Sequence, residues 1–213
     1  RIPLKQSAHI QHANALQIDW PVTDFILGNP PFIGHQWRTK EQQADVEKVF
    51  PHDSKFGKVD FVGAWFVKAA RIMAKTPNTR TAFVSTNSIC QGEQVGILWG
   101  WIFSQGQHIQ FAHRTFVWQS AATGKAAVHC VIVGFGVDQN RAKTIFEYET
   151  LKDEHDKKIE VITPIAANNI NQYLVDAPNV LLPSRSKPAQ GMPAMTQGNK
   201  PVDGGNLILD AAE

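Results

Sequence analysis

Strand-like and helix-like apolar patterns alternate along the first two-thirds of this 213-residue chain. Two segments carry apolar residues on one face at helical spacing, 59–75 and 92–103. Four segments are short, apolar and rich in β-branched or aromatic residues, as buried strands are: 23–27, 79–86, 108–116 and 126–135. Because strands and helices alternate, the pattern predicts an α/β fold built on a parallel sheet.

The last two of these strands have no helical segment between them. Only residues 117–125 connect them, so we expect them to pair antiparallel and the parallel sheet to end in a hairpin. A second, solvated hairpin is expected at 141–163. From Pro164 onward the composition is rich in Pro, Asn and Gly, which predicts a loop-rich extension. The expected division of the chain is therefore 1–140, 141–163 and 164–213.

Composition argues against several classes of protein but does not identify a function. Apolar residues make up 43% of the chain, enough for a packed core, and the net charge of +2 indicates no particular partner. Cys90 and Cys130 lie far apart in apolar segments, which favours a reducing cytoplasm over a disulfide scaffold. No cysteine and histidine spacing typical of a metal site occurs, and no apolar run is long enough to span a membrane.

The tetrad Asn29-Pro30-Pro31-Phe32 directly follows the first predicted strand. The side-chain oxygen of Asn29 and the carbonyl of Pro30 are two acceptors that can bind the two hydrogens of an exocyclic amine. Proline fixes φ and lacks an N–H, so two prolines in series hold these acceptors rigidly. Phe32 offers a flat face on which a base swung out of a duplex can stack. The tetrad therefore predicts methyl transfer to an amine such as that of adenine, achieved by positioning of the nitrogen.

An ordinary turn is the alternative interpretation of this tetrad, because asparagine and proline are both frequent in turns. The strand-like run that ends at Gly28 and the following Ile33-Gly34 favour the catalytic interpretation. The chemistry requires neither a general base nor a metal ion, so the lack of a metal motif does not count against it.

Several separate blocks of the chain resemble a known family. Residues 24–34 (Asp-Phe-Ile-Leu-Gly-Asn-Pro-Pro-Phe-Ile-Gly) resemble motif IV of the adenine-N6 amino-methyltransferases, which have the class I, S-adenosylmethionine-dependent fold. Residues 83–94 and 124–135 resemble the MmeI-like family, single-chain restriction-modification enzymes within that branch. Residues 184–188 and 198–205 resemble the start of that family's target-recognition segment. The resemblance implies a partial Rossmann-like sheet, S-adenosylmethionine as the cofactor and double-stranded DNA as the substrate.

The resemblance also implies how the chain is divided. Residues 1–140 would be the C-terminal portion of a methyltransferase domain, and 164–213 a linker leading into a target-recognition domain. The family's motif I, a strand and glycine-rich turn that cradle the cofactor, has no match here. Because the chain also begins with Arg1 rather than methionine, we expect a fragment whose N-terminal part carries motif I and, in full-length relatives, a nuclease.

Two expectations follow for the fragment on its own. It should bind S-adenosylmethionine poorly or not at all and should be inactive as an enzyme. In the family's fold the motif I strand lies beside the motif IV strand. Without it, residues 24–27 are expected at an exposed sheet edge, through which copies of the chain could self-associate.

Individual residues receive roles from the same resemblance. Those expected to hold the flipped adenine are Asn29, Pro30, Pro31 and Phe32. Phe116 is expected against the other face of the base, with Trp118 as the alternative occupant and core packing as the alternative role of Phe116. Those expected to contact the cofactor are Asn14, Ala15, Leu16 and Asp60. Asp60 is equally well placed to cap a helix.

Cations that could contact DNA phosphates are Arg38, Arg185, Lys187 and Lys200, although each could equally be ordinary surface charge. An RNA or protein methyltransferase is an alternative function, because guanine amines and glutamine amides present the same N–H₂ geometry. A non-catalytic nucleic-acid-binding module is a second alternative, because motif I is absent.

Overall fold

The computed structural model describes residues 9–118, 128–152 and 158–181, which form a six-stranded mixed sheet with helices. The strands are β1 (Phe25–Gly28), β2 (Arg80–Thr86), β3 (His108–Trp118), β4 (Val128–Gly136), β5 (Lys143–Lys152) and β6 (Lys158–Ala167). The helices are α1 (Lys40–Val49), α2 (Gly63–Lys75) and α3 (Gln94–Ser104). Three 3-10 turns lie at His35–Trp37, Ser54–Lys58 and Asn87–Cys90. No helix within these ranges has the length and apolar content needed to cross a membrane.

The strand order is β1-β2-β4-β3-β5-β6. β3 and β4 pair antiparallel, which confirms the pairing predicted from their short connection. β1, β2 and β3 run in the same direction, and β4 lies reversed between β2 and β3. The sheet does not end at this hairpin, because β5 pairs with β3. Among the six described strands, the neighbouring pairs that run parallel are β1–β2 and β3–β5. β5 and β6 also pair antiparallel, as expected, but β5 joins β3 and thereby extends the same sheet.

Helices α2 and α3 cover one face of the sheet with an aromatic core. Phe66 of α2 stacks on Phe135 of β4, with ring centroids 5.5 Å apart and planes 7° apart. The same Phe66 meets Phe83 of β2 and Trp99 of α3 edge-on. All four side chains are at most 2% exposed. Burial of a side chain of this size stabilises the fold by roughly 1.5–3 kcal/mol, so this core fixes the two helices on the sheet.

The opposite face of β3 and β5 carries a second group of rings. His113 stacks on Phe146 with centroids 4.3 Å apart, and Phe116 stacks on Tyr148 with centroids 5.0 Å apart. Between His113 and Phe116 the pairing of β3 with β4 shifts by one residue, since His113 lies opposite Ile132 and Phe116 opposite Cys130. This irregularity inserts one extra residue in β3 and keeps both rings on the same face.

The residues directly after β6 pack into the core, although a loop-rich extension was predicted from Pro164 onward. β6 itself runs to Ala167, and isolated bridges join Ile170 to Ile109 and to Asp176 in the described residues that follow it. Ile170 and Leu174 are nevertheless buried in the core, at 1% and 2% exposed. Asp176 accepts the main-chain N–H groups of Asn168 and Asn169, at 3.1 and 3.0 Å, and so closes the turn.

Candidate functional site

One edge of the sheet gathers the predicted catalytic residues. β1 and β2 are parallel, and Gly28 at the end of β1 lies beside Phe83 of β2. β4 runs the other way, so its first residue, Val128, lies at the same edge, opposite the last residue of β3, Trp118. We call this side of the sheet, where β1, β2 and β3 end and β4 begins, the carboxyl edge. Loops at the carboxyl ends of strands are where α/β folds place their ligands.

The tetrad begins directly at the carboxyl edge, after Gly28. Asn29 is exposed, and its side-chain amide has no hydrogen-bond partner among the described residues. Pro30 is buried, Pro31 is exposed, and Phe32 is half-buried against the core. The tetrad is thus anchored by Pro30 and Phe32 while the amide of Asn29 remains available to a ligand.

Asp60 connects the chain that follows the tetrad to two other parts of the fold. One carboxylate oxygen, Oδ1, accepts the main-chain N–H of His35 at 3.0 Å. The other, Oδ2, accepts from the hydroxyl of Ser88 at 2.7 Å and the amide of Gln94 at 2.8 Å. The N–H of Asp60 donates in turn to Oε1 of Gln94 at 3.0 Å. Asp60 therefore holds the His35–Trp37 turn, the Asn87–Cys90 turn and the start of α3 together.

The hydrogen-bond network around Asp60 has a defined direction. Ser88 donates its single hydroxyl proton to Asp60, so in its 2.7 Å contact with Thr86 the hydroxyl of Thr86 must be the donor. Burial alone raises the pKa of the Asp60 carboxyl, but the hydrogen bonds from Gln94, Ser88 and His35 outweigh it and leave that pKa below its ordinary value. Asp60 is therefore a carboxylate at neutral pH.

Arg38 also holds the His35–Trp37 turn in place. Its Nε donates to the carbonyl of His35 at 3.2 Å and its Nη2 to the carbonyl of Gly57 at 2.7 Å. Burial lowers the pKa of the guanidinium, while Asp60 and Glu47 act in the opposite direction. Nη1 is buried and has no hydrogen-bond partner within the part of the chain that the structure describes. Arg38 was predicted to contact DNA, and the structure shows that two of its donor groups are committed to the main chain. The other predicted DNA contacts, Arg185, Lys187 and Lys200, lie outside the described residues.

Asn14 caps the turn that contains Ala15 and Leu16, the other two residues of the predicted cofactor segment. Its Oδ1 accepts the N–H of Leu16 at 3.0 Å, and its Nδ2 donates to buried Asp45 of α1 at 2.7 Å. Leu16 is buried in the core, at 5% exposed. The ammonium of Lys68 donates to the carbonyls of Ala15, Leu16 and Ile18. The turn is therefore fixed to α1 and α2 by its own polar groups.

The residues predicted to contact the cofactor make many of their contacts within the chain. The side-chain amide of Asn14 and the carboxylate of Asp60 are both engaged within the chain, Leu16 is buried, and the carbonyl of Ala15 is bound by Lys68 and Trp20. These contacts use the side-chain amide of Asn14, both oxygens of Asp60 and the carbonyl of Ala15. No cofactor contact is therefore assigned to these residues, and their predicted role stays a prediction.

Phe116 and Trp118 lie at the carboxyl edge, as the two candidates for stacking on the base. Trp118 is 45% exposed, and its ring centroid lies 6.2 Å from that of Phe116. Phe116 is half-buried and already stacked on Tyr148. The structure thus brings both rings to the same edge as the tetrad, and Trp118 is the more accessible of the two.

Ser88 and Gln94 are the site residues that sequence analysis missed. They lie 28 and 34 residues after Asp60, and serine and glutamine carry no spacing motif that indicates a shared partner. Within the described ranges, no group of three or more His, Cys, Asp or Glu side chains could hold a metal ion. The polar groups described around the tetrad are therefore the amides of Asn29 and Gln94, the hydroxyls of Thr86 and Ser88, the carboxylate of Asp60 and the guanidinium of Arg38.

Comparison with known proteins places this arrangement in a family. Residues 1–147 match the family model described as MmeI, DNA-methyltransferase domain. A curated relative from Bacillus subtilis (strain 168), named DNA methyltransferase A, is 38% identical over 221 residues, which cover 100% of this chain and 24% of the relative. A solved structure of the type IIL restriction-modification enzyme MmeI in complex with DNA aligns with a TM-score of 0.81 and 48% identity, over 97% of this chain and 27% of that one. The chain thus spans about a quarter of the length of each.

Proposed function

Since this chain belongs to the family of MmeI DNA-methyltransferase domains, we propose that it is the part of a DNA adenine-N6 methyltransferase that binds the target base. The single observation that carries the proposal is the free amide of Asn29, held at the carboxyl edge by a tetrad whose Pro30 and Phe32 are anchored. The sheet around it would be the second half of a Rossmann-like class I fold.

The tetrad acts by orienting the amine of a flipped adenine. Asn29 accepts one amine hydrogen and the carbonyl of Pro30, which accepts no hydrogen bond from the described residues, takes the other. Both bonds favour a pyramidal nitrogen whose lone pair is available for attack. Phe32 supports one face of the base, and Trp118 or Phe116 the other. S-adenosylmethionine is the proposed methyl donor and supplies an electrophilic methyl group on a sulfonium centre.

The surroundings of this reaction are also proposals. The target is double-stranded DNA, and the chain acts as part of a longer restriction-modification enzyme in the bacterial cytoplasm. Residues 1–140 would belong to the catalytic domain and 164–213 would lead to target recognition. On its own, the 213-residue segment is expected to bind S-adenosylmethionine poorly or not at all, because the family's motif I, which cradles the cofactor, has no match in the sequence.

A labelled-methyl assay tests the proposed function. The full natural polypeptide containing these residues is given labelled S-adenosylmethionine with duplex DNA, RNA or protein, and the DNA is digested to identify the modified nucleoside. We expect label in N6-methyladenine, and a loss on the order of 10²-fold or more in Asn29→Ala, because an oriented group is removed from the reacting nitrogen.

The matched control is Asn78→Ala, since Asn78 is an exposed asparagine beside β2 at the opposite edge of the sheet. It should methylate at the wild-type rate. Label in RNA or protein instead of DNA, or an Asn29→Ala variant as active as Asn78→Ala, would contradict the proposal.

A further inference from the structure

Asp60 lies next to the tetrad without being part of it. We infer that Asp60 is a positioning residue whose carboxylate fixes the chain just after Phe32, and thereby sets the height and tilt of the Asn29–Phe32 loop at the carboxyl edge. The inference rests on the proposed function, because it assigns Asp60 to the geometry of that loop.

Two hydrogen bonds fasten the loop to Asp60 and its neighbour. The N–H of His35 donates to Oδ1 of Asp60 at 3.0 Å, and the N–H of Phe61 donates to the carbonyl of Ile33 at 2.9 Å. Ile33 is the residue after Phe32, so this two-point attachment begins at the end of the tetrad. The other end of the tetrad is fixed by β1, whose last residue, Gly28, pairs with Phe83.

The attachment is rigid because Asp60 is itself held by the core side of the fold. Both lone-pair positions of Oδ2 are used, by Ser88 and by Gln94, and the Asp60 side chain is only 13% exposed. Gln94 lies at the start of α3 and is 9% exposed. The carboxylate therefore transmits the position of α3 and of the Asn87–Cys90 turn to the loop.

The same contacts distinguish positioning from cofactor binding. Three donors within the chain hold the Asp60 carboxylate, two on Oδ2 and the N–H of His35 on Oδ1, so the side chain is fixed by the fold rather than turned toward an open space. Asp60→Asn would turn an N–H₂ group toward donors, which leaves at least one of them unpaired. The loop would then shift by a fraction of an ångström, and displacement of that size slows reactions that depend on alignment.

The experiment compares four proteins in the full natural polypeptide: wild type, Asp60→Asn, Ser88→Ala and Asp176→Asn. Ser88→Ala removes one donor with little change in shape. Asp176→Asn is the matched control, because Asp176 is also a carboxylate that accepts main-chain N–H groups, in a turn bridged to Ile170 and away from the carboxyl edge. For each protein we would measure kcat on duplex DNA, the Kd for S-adenosylmethionine and the fluorescence of a 2-aminopurine placed at the target position.

We expect Asp60→Asn to lower kcat on the order of tenfold or more, Ser88→Ala to lower it less, and both to keep the Kd for S-adenosylmethionine within about twofold of wild type. The 2-aminopurine signal should change in both variants, because the ring that stacks on the flipped base has moved. Asp176→Asn should behave as wild type in all three measurements.

Two results would overturn the inference. A raised Kd for S-adenosylmethionine with an unchanged 2-aminopurine signal would make Asp60 a cofactor contact, and an unchanged kcat in both variants would make it a structural cap. If Asp60→Asn does not fold, Ser88→Ala decides between the same outcomes. Failure of the proposed function is distinguishable, since the wild type would then place no label on adenine.

Discussion

Asp60 accepts hydrogen bonds from three separate parts of the chain, so its negative charge helps to hold these parts together. Hydrogen bonds to the ionised form lower the pKa of this carboxyl below its ordinary value, against the effect of burial. A lowered pKa in the folded state means that the fold binds the carboxylate more tightly than the carboxylic acid. Asp60 thus contributes stability that depends on pH.

The pH dependence has a defined sign. An unfolded aspartate has a pKa of about 3.9, and that of folded Asp60 lies below the ordinary value. As the pH falls below about 4, the unfolded chain takes up the proton first, so the free energy of unfolding decreases. We expect the difference in free energy of unfolding between wild type and Asp60→Asn to be larger at about pH 7 than at about pH 3.

Urea denaturation at the two pH values measures that difference directly. Asp176→Asn is not a suitable control for this measurement. Main-chain N–H groups also lower the pKa of Asp176, so its replacement would change the pH dependence of stability too. Ser88→Ala is the suitable comparison, since it removes one of the bonds that lower the pKa of Asp60 and should reduce the pH dependence only in part. A difference that stays constant with pH would show that the charge of Asp60 adds nothing to stability.

The strands and the two helices with a broad apolar face, α2 and α3, could be predicted from the sequence, whereas α1 could not. α1 carries only Val46 and Val49 as large apolar residues, so its helical spacing is faint. Its start is instead marked by a capping box, in which Thr39 and Gln42 bind each other's main-chain N–H. Polar capping, rather than periodicity, would have identified this helix.

Pairing between distant strands was the other part of the fold that the sequence did not reveal. The local pattern predicts a hairpin at 141–163, but nothing in it selects β3 as the parallel neighbour of β5. The tetrad at the carboxyl edge was predictable, because its residues are contiguous. The network of Asp60, Ser88 and Gln94 was not, because it depends on three loops that only the fold brings together.

Close contact of β3 with β4 gives a prediction about Gly134. A Cβ at this position would lie 2.0 Å from Cε1 of Phe111, whose ring covers the glycine. Gly134→Ala must therefore displace a ring packed on the sheet, and we expect it to lower the free energy of unfolding by about 1–3 kcal/mol. Chemical denaturation measures the loss.

Gly57→Ala is the matched control, because nothing lies within 4 Å of the Cβ that it would add. It should change stability by less than about 0.5 kcal/mol. Adding Phe111→Ala to Gly134→Ala should cost less than the sum of the two single substitutions, since the clash disappears with the ring. Strict additivity would show that the ring does not press on Gly134.

The sheet has two outer strands in the described part of the chain, β1 and β6, and both carry exposed apolar side chains. In β1, Phe25 and Leu27 lie on the same face and are 56% and 73% exposed. In β6, Ile162 and Ile165 are 48% and 41% exposed. Unpaired main-chain groups beside exposed apolar residues favour pairing with a strand of another molecule.

We expect the 213-residue segment, expressed alone, to self-associate through β1. Sedimentation velocity should show a rising apparent mass with concentration, and Leu27→Lys should suppress the rise because a charge on an outer strand opposes pairing. Ile162→Lys is the control on the other outer strand and should have a smaller effect. A stronger effect of Ile162→Lys would place the contact at β6, and no concentration dependence in the wild type would refute the prediction.

Three positions separate His113 from Phe116 in β3, whereas only two separate their partners Ile132 and Cys130 in β4. In a regular strand a spacing of three puts two side chains on opposite faces, so the extra residue keeps Phe116 beside Tyr148 and away from the helices. A chain with one amino acid fewer at this place would keep both rings on that face without any irregularity, since Phe116 would then follow His113 by two positions.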